Sequence, residues 1–449
     1  MMTDEQRQHA VAAIQQALPA LEWTLQPAKI KRLSRDFHWF SPLLTEQLAG
    51  KQADAVVRPR DEEELRQLVP LEGGLLVDMT GLNQIVALGN GTVRAQAGIR
   101  LADIETAARP TGWELRCMPS TYRLASLGGL YGGGFGGIGS INYGPLAAPG
   151  NVLSVKVMTV EPVPRVLTVP APEALLLHHA YGTNGIILEV ELALAPAHQW
   201  IERLDVFDDF ADALNYANAC VRSPGLVKRQ VALLATPIAD YFSHLNDRYH
   251  AGQHAVISLI AEESEGLCAS LLPRHRGSNA IRQASDEART RNGSLMEYCW
   301  NHTTLHALKV DNTLTYLQTA FDPLRYPQQI LQMEQHFAGE VMSHIEFLRD
   351  IEGNLTASGL QLVRYTTPER LNAIMQIFRD NDVKINNPHV LQVEDGKQGV
   401  IRPDVVAVKQ SLDPAGLLNP GKLRGWALRD QLELDGNPLA RATRESPTT

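Results

Sequence analysis

The 449-residue chain lacks the excess of basic residues that a nucleic-acid partner demands: 41 Lys and Arg stand against 50 Asp and Glu, for a net charge of -9. Phosphate backbones are gripped by a concentrated positive field, so no nucleic-acid partner is expected. Cysteine is scarce as well. Cys117, Cys220, Cys268 and Cys299 show no C-x-x-C spacing for zinc or dithiol chemistry, and few dispersed thiols fit a reducing cytoplasm. No apolar run approaches the ~18–20 residues that span a bilayer. The first residues, Met1 to Arg7, lack a basic-then-apolar leader pattern. The expectation is a cytoplasmic protein without a transmembrane segment. A hydrophobic fraction of 44% supports sizeable cores, and the length allows two or three domains.

Apolar periodicity predicts a helix over 5–18, with Val11, Ile14, Leu18 and Leu21 on one face. A short strand at 55–59 runs into a helix over 61–69, capped by Asp61 and carrying Glu62, Glu63 and Glu64 in its first turn. Pro70 ends that helix. Strands are expected at 75–79, 91–97, 153–160 and 186–194, with a helix at 101–108; 119–145 reads as loop. This mixture gives an α+β domain ending near Pro196. Beyond it, strands at 200–206, 228–235, 254–261, 342–348 and 357–365 trade places with helices at 209–221, 264–273, 327–341 and 368–380. That order suits a ferredoxin-like sheet with helices on one side. After Trp426 the chain turns polar and is expected to fray.

The most unusual segment is the glycine run from Gly128 to Gly139. It holds a G-x-G-x-x-G match at Gly134, Gly136 and Gly139, but a dinucleotide fingerprint needs a strand just before it and a helix just after. Arg123 to Ser126 and Ser140 to Pro145 supply neither. Glycine costs roughly 0.5–1 kcal/mol against Ala in regular elements. A run this dense points to close backbone approach to a ligand, with successive N–H groups turned inward as an anion-binding nest. A flexible surface loop is the alternative.

The flanks carry a resemblance. Pro119-Ser120-Thr121, then Ser126-Leu127-Gly128-Gly129, then Tyr143-Gly144 resemble the pyrophosphate and isoalloxazine region of the vanillyl-alcohol-oxidase/PCMH-type FAD-binding family. The segment 55–69, with Val57-Arg58-Pro59, resembles that family's first strand and helix. Gly182-Thr183-Asn184-Gly185-Ile186-Ile187 resembles the turn leading into a strand beside the adenosine part of FAD. Asp413-Pro414-Ala415-Gly416-Leu417-Leu418-Asn419-Pro420-Gly421-Lys422 resembles the closing motif of FAD-linked oxidases, including D-lactate dehydrogenase-like and glycolate-oxidase-like members.

The resemblance implies FAD as cofactor, held by these residues and Asn419. It implies a PCMH-type FAD-binding domain over 1–197, a ferredoxin-like α+β substrate domain over 198–402, and a segment over 403–449 that returns to the first domain. The implied activity is FAD-dependent oxidation of an alcohol or 2-hydroxy acid, with a small-molecule substrate and an electron acceptor that the sequence does not name. One family feature is missing, an early R-G-G-G-T-G loop. Leu71-Glu72-Gly73-Gly74 follows Pro70 at once, as if a helix–strand–glycine-loop unit were deleted near 69–71. The loss keeps a second reading open, a flavin-binding scaffold with impaired catalysis.

Candidate reacting groups lie in Trp300 to His306. His302 and His306 are spaced i, i+4, but a zinc hydrolase would need a third ligand and a glutamate where Thr303 stands, so no metal is expected. Under the flavin reading, a neutral His takes the hydroxyl proton of a 2-hydroxy acid and a cation clamps its carboxylate. His302, with Asn301 beside it, is the candidate base, and Lys309 or Arg364 the clamp; His302 as a purely structural residue is the alternative. Asn386-Asn387-Pro388-His389 is a second polar turn that could face the flavin. The H-A-G-D-G-N segment of D-lactate dehydrogenase relatives is absent. His178 and His179 are expected to be exposed.

Overall fold

The helix Glu62–Leu68 forms where the sequence places its cap: the Asp61 side chain accepts from the Glu64 N–H, and three acids sit in the first turn, where they favour the helix dipole. Leu65 and Leu68 face inward. The computed structural model describes residues 3–69, 74–134, 136–291 and 293–444. The junction at 70–71, where the sequence implies a lost glycine-loop unit, lies outside the described residues.

Three sheets organise the described chain. In the first, β1 (Glu22–Thr24), β2 (Ala55–Arg58) and β3 (Leu75–Val77) lie side by side, and β3 pairs parallel to β2, Ala55 opposite Leu75. The second is antiparallel. It contains β4 (Ile85–Gly89), β5 (Thr92–Gln96), β6 (Trp113–Leu115), β7 (Val152–Met158), β8 (Val166–Pro170) and β9 (Ile186–Pro196), with β9 in the middle. Thr443–Arg444 adds to the β8 edge. This corrects the expectation of a frayed tail: Leu439 is buried, and the chain through Arg444 packs back on the second sheet. Residues 445–449 lie outside the described residues.

The third sheet has nine antiparallel strands: β10 (Trp200–Phe207), β11 (Lys228–Leu234), β12 (His254–Ala261), β13 (Ser278–Ala284), β14 (Leu314–Ala320), β15 (Val341–Met342), β16 (His344–Arg349), β17 (Leu355–Arg364) and β18 (Lys384–Asn386). Strand geometry sends alternate side chains to opposite faces. On β11, Val231 and Leu233 join a core with the helices Phe210–Arg222, Tyr326–Phe337 and Pro368–Asp380. Ala232 and Leu234 join the other core, shared with the second sheet and the helix Leu101–Ala108. The α+β architecture therefore has one helical layer outside and one buried junction between sheets.

That junction is ionic at its centre. Arg229, 2% exposed, donates to Glu105 Oε1 (3.2 Å) and to the Leu115 carbonyl (2.9 Å). Glu114 accepts from Arg109 (2.6 Å) and from the Trp200 indole N–H. No helix of the described residues is long and apolar enough to cross a membrane.

A second buried pair fastens the C-terminal segment. The helix Pro403–Leu412 carries Lys409, whose Nζ donates to Asp413 Oδ2 (2.7 Å), the Thr183 carbonyl (2.8 Å) and the Leu418 carbonyl (3.3 Å). Asp413 also accepts from the N–H groups of Leu417 and Leu418. The closing motif of the sequence is thus tied to the Gly182–Gly185 turn. Removing one partner of such a buried pair costs about 3–5 kcal/mol, because the other charge is left without a counter-charge. Lys409→Met is expected to lower unfolding stability by that amount in urea titration, and the double replacement Lys409→Met/Asp413→Leu by less than Lys409→Met alone.

Candidate functional site

The glycine run folds as a helix, Leu127–Gly133, capped by Ser126, rather than as a loop. Its N–H groups are occupied locally: Gly128 N donates to Ala97 O (2.7 Å), Gly129 N to Ser126 Oγ (3.1 Å) and Leu130 N to Ser126 O (2.9 Å). The expected anion nest is therefore corrected at these positions, because helix capping takes those donors. Close approach is what the glycines supply. A Cβ on Gly128 would lie 2.8 Å from Ala97 Cβ, and one on Gly134 would lie 2.2 Å from the His179 ring.

Two cavities abut along this helix. A channel of 940 Å³ runs past Gly128, Gly129 and Gly132, with Leu75–Thr80 on one side and Gly182, Gly185, Ile186, Ile187 and Asn419 on the other. The next residues in sequence, Gly133, Gly134 and Tyr181, line a second cavity of 530 Å³. Its far wall is the third sheet, through Gln318 and Thr319 of β14, Leu348 of β16, Ser358 and Leu360 of β17, and Lys384 and Asn386 of β18.

Of the residues singled out from sequence, Ser126, Gly128, Gly129, Gly182, Asn184, Gly185, Ile186, Ile187 and Asn419 line the channel together. Asn419 holds the turn in shape, its amide donating to the carbonyls of Tyr181 (2.7 Å) and Gly182 (3.1 Å). Leu127 and Thr183 are fully buried behind the channel. Pro119, Ser120, Thr121, Tyr143 and Gly144 line neither cavity. Tyr143 sits under the Arg116 guanidinium, and a Cβ on Gly144 would meet the Asp350 carbonyl at 3.0 Å.

The helix Asn301–Val310 carries His302 and His306 on one face, ring centres 6.4 Å apart. His306 stacks on Tyr298 and hydrogen-bonds the Glu297 carbonyl. His302 reaches the Ser120 backbone, and burial pushes its pKa down. Neither His302 nor Asn301 lines either of these two cavities; Trp300, just before them, lines the second. Its backbone N–H donates to Glu346 (2.6 Å) and its indole N–H to Gln230 (3.2 Å). Arg364 lies at the end of β17, paired with Asp311. His389 is buried, bonded to Ser41 and to the Tyr316 carbonyl. Among the described residues, no three His, Cys, Asp or Glu side chains gather as a metal-holding group.

His179 was missed. It is half-buried rather than exposed, and it faces the second cavity. Its Nε2 shares a hydrogen bond with the Tyr181 hydroxyl (3.1 Å). Burial, reinforced by the Lys397 ammonium, pushes its pKa down to about 4. Lys397 and Lys384 also line this cavity, and among the described residues no Asp or Glu does. Burial lowers the Lys397 pKa, with Arg402 adding to the effect. His179, Tyr181, Trp300 and Gln398 all take positive φ here. Left-handed backbone at bulky residues persists only where the surroundings hold it, and such strain clusters at functional sites. Nothing in the one-letter sequence flags it.

Residues 66–162 match the model of the FAD binding domain family FAD_binding_4. Over those residues the chain carries an FAD binding domain of the PCMH type. Decaprenylphosphoryl-beta-D-ribose oxidase of Mycolicibacterium smegmatis is 33% identical over 130 residues, which span 28% of this chain and 27% of that enzyme. Two structures of alkyldihydroxyacetonephosphate synthase share the fold. One, at 15% identity and a TM-score of 0.61, covers 94% of this chain and 86% of its own. The other, at 14% identity and 0.56, covers 83% and 78%. FAD fits the channel: its floor is side-chain-free at Gly129 and Gly132, where a Cβ on Gly132 would find no atom nearer than 3.9 Å. Gly129 and Gly132, with Gly182, Gly185 and Ile186 across the channel, are the residues that would hold it.

The buried histidines set a pH dependence. His178, His179, His306 and His389 all have folded pKa values near 4, below the ordinary value of 6.5, with burial the first cause in each case. The unfolded chain then binds more protons between those values, so the stability from keeping these rings neutral is present above pH ~6.5 and is lost as pH falls towards 4. Urea midpoints measured from pH 7 down to about 4.5 are expected to fall steadily; a flat profile would refute the assignment.

Proposed function

We propose that the protein is an FAD-dependent oxidoreductase that oxidises a 2-hydroxy acid in the cavity between the glycine helix and the third sheet. The observation that carries the reading is the pairing of a neutral His179 with two lysines, and no carboxylate among the described residues, in a cavity that abuts the FAD channel. Bound FAD supplies the hydride acceptor. His179 takes the substrate's hydroxyl proton, and its hydrogen bond to Tyr181 fixes the ring. Lys397 and Lys384 hold the carboxylate, with the amides of Gln318 and Asn386 beside them. Trp300, Leu348, Leu360 and Ile385 exclude water from the reacting end. His302 and Arg364 line neither cavity, so the roles of base and clamp pass to His179 and Lys397.

Purified protein supplied with FAD is expected to show a bound-flavin absorption band that bleaches anaerobically with 2-hydroxy acids and far less with neutral alcohols. Failure to bind flavin, or equal bleaching by both classes, would overturn the reading. Bound flavin that no hydroxy acid bleaches would favour the impaired scaffold. His179→Gln is expected to lower kcat by about 10²–10⁴-fold at unchanged flavin content. Lys397→Met is expected to act mainly on KM for the acid.

A further inference from the structure

The segment 27–39 stands apart from the rest of this acidic chain. Lys29, Lys31, Arg32 and Arg35 are exposed, against a single acid, Asp36, in a protein of net charge -9. None of the four cations forms an ion pair among the described residues. Just after them stand large apolar side chains in contact with solvent: Phe37 is 54% exposed and Trp39 43%. Leu33 and Leu25 are exposed beside them. Lys31, Arg32, Arg35, Asp36, Phe37 and Trp39 surround a surface cavity of 500 Å³. The Asp36 carboxylate is occupied there, accepting from the His38 N–H and bonding His38 Nδ1.

The presentation is fixed, not frayed. Ile30 and Phe40 point inward from the same segment, 5% and 3% exposed. Phe40 stands edge-on to Trp39 (4.6 Å) and to Tyr316 of β14 (5.9 Å), and its carbonyl accepts from Thr315. The core therefore holds two aromatic rings outward beside Lys31, Arg32 and Arg35. Exposed aromatics flanked by Lys and Arg suit the interface of a bilayer, where the rings enter the headgroup boundary and the cations meet anionic lipid. Net charge selects the orientation: an acidic protein is repelled by an anionic surface except through a patch of this kind.

We infer that residues 27–39 form a docking surface for anionic membranes, with the cavity between Arg35 and Trp39 receiving a lipid headgroup. This surface adjoins the site but does not depend on the catalytic proposal. Leu33 also lines the FAD channel, and Tyr316 sits two residues before Gln318 of the second cavity. Docking would set that wall of the molecule against the bilayer.

Vesicle flotation of the full chain tests the inference. Binding is expected to phosphatidylcholine vesicles containing about 30 mol % phosphatidylglycerol, and not to pure phosphatidylcholine. It is expected to weaken as salt rises from about 0.1 to 0.5 M. Lys31→Glu/Arg32→Glu is expected to weaken binding about tenfold or more. Phe37→Ala/Trp39→Ala is expected to weaken it without changing the salt dependence. Thermal unfolding of each variant checks that these exposed replacements leave the fold intact. Absence of binding by the unaltered chain, equal binding to neutral vesicles, or unchanged binding by folded variants would each overturn the inference. So would a dimer in solution that Trp39→Ala dissociates, which would assign the patch to a second copy.

Discussion

The Lys409 ammonium is buried to 2% exposure, bonded to one carboxylate and two backbone carbonyls and lying over the Trp426 ring. A lone ammonium in such a place would be strongly unfavourable, and a carboxylate even in contact with it does not by itself guarantee net stability. What makes the arrangement self-consistent is that all three ammonium protons and both carboxylate oxygens are hydrogen-bonded. Asp413 receives the cation on one side and the Leu417 and Leu418 N–H groups on the other. The Thr183 carbonyl, inside the turn that walls the FAD channel, is fixed in the same act. Asn419 then bonds the carbonyls of Tyr181 and Gly182. The closing motif is thus a clasp, and its load is the turn from His179 to Gly185.

That load explains where the backbone strain lies. His179, Tyr181 and Asn419 take positive φ within one connected set of contacts, and Trp300 and Gln398 do so across the cavity. Each is of the order of 1–3 kcal/mol above a relaxed conformation. Such residues stay in place only if other interactions over-determine them. The clasp does this for the first three, and Glu346 and Gln230 do it for Trp300. The Arg229 junction keeps the third sheet in register with the FAD domain, so that Lys384 from β18 faces Tyr181 across the same cavity.

Local signals were the legible ones. Asp61 caps its helix as the sequence says, and the helix over 101–108 appears with those bounds. The Gly182 turn and Asn419 meet at the channel because a specific motif encodes a specific clasp. The glycine helix was not legible: glycine's low helix propensity argues against it, and tertiary packing on Ala97 and Ile99 overrides propensity. The i, i+4 spacing of His302 and His306 gave the right helix face, yet which way that face points is a tertiary fact. His179 was hidden for the same reason. Its neighbours in sequence are ordinary, and its significance comes from Lys397 and Lys384, more than two hundred positions later, brought in by strands too short or too mixed to read, such as β14 and β18.

The corrected glycine run changes what holds the cofactor. A pyrophosphate carries negative charge, and with Gly128 and Gly129 N–H groups already bonded, the helix start is not its cradle. Side-chain cations do not replace it. Arg7, the one Lys or Arg among the described residues that line the channel, is paired with Asp54. Charge-assisted hydrogen bonds are each worth about 1.5–3 kcal/mol, more than neutral ones. A channel without several of them relies instead on shape, burial and backbone contact along Gly129, Gly132, Gly185 and Ile186. The R-G-G-G-T-G loop that this sequence lacks is the element that would supply such donors. The described wall of the channel is built for shape and close backbone approach, and it depends in turn on the clasp that keeps the Gly182–Gly185 turn in place.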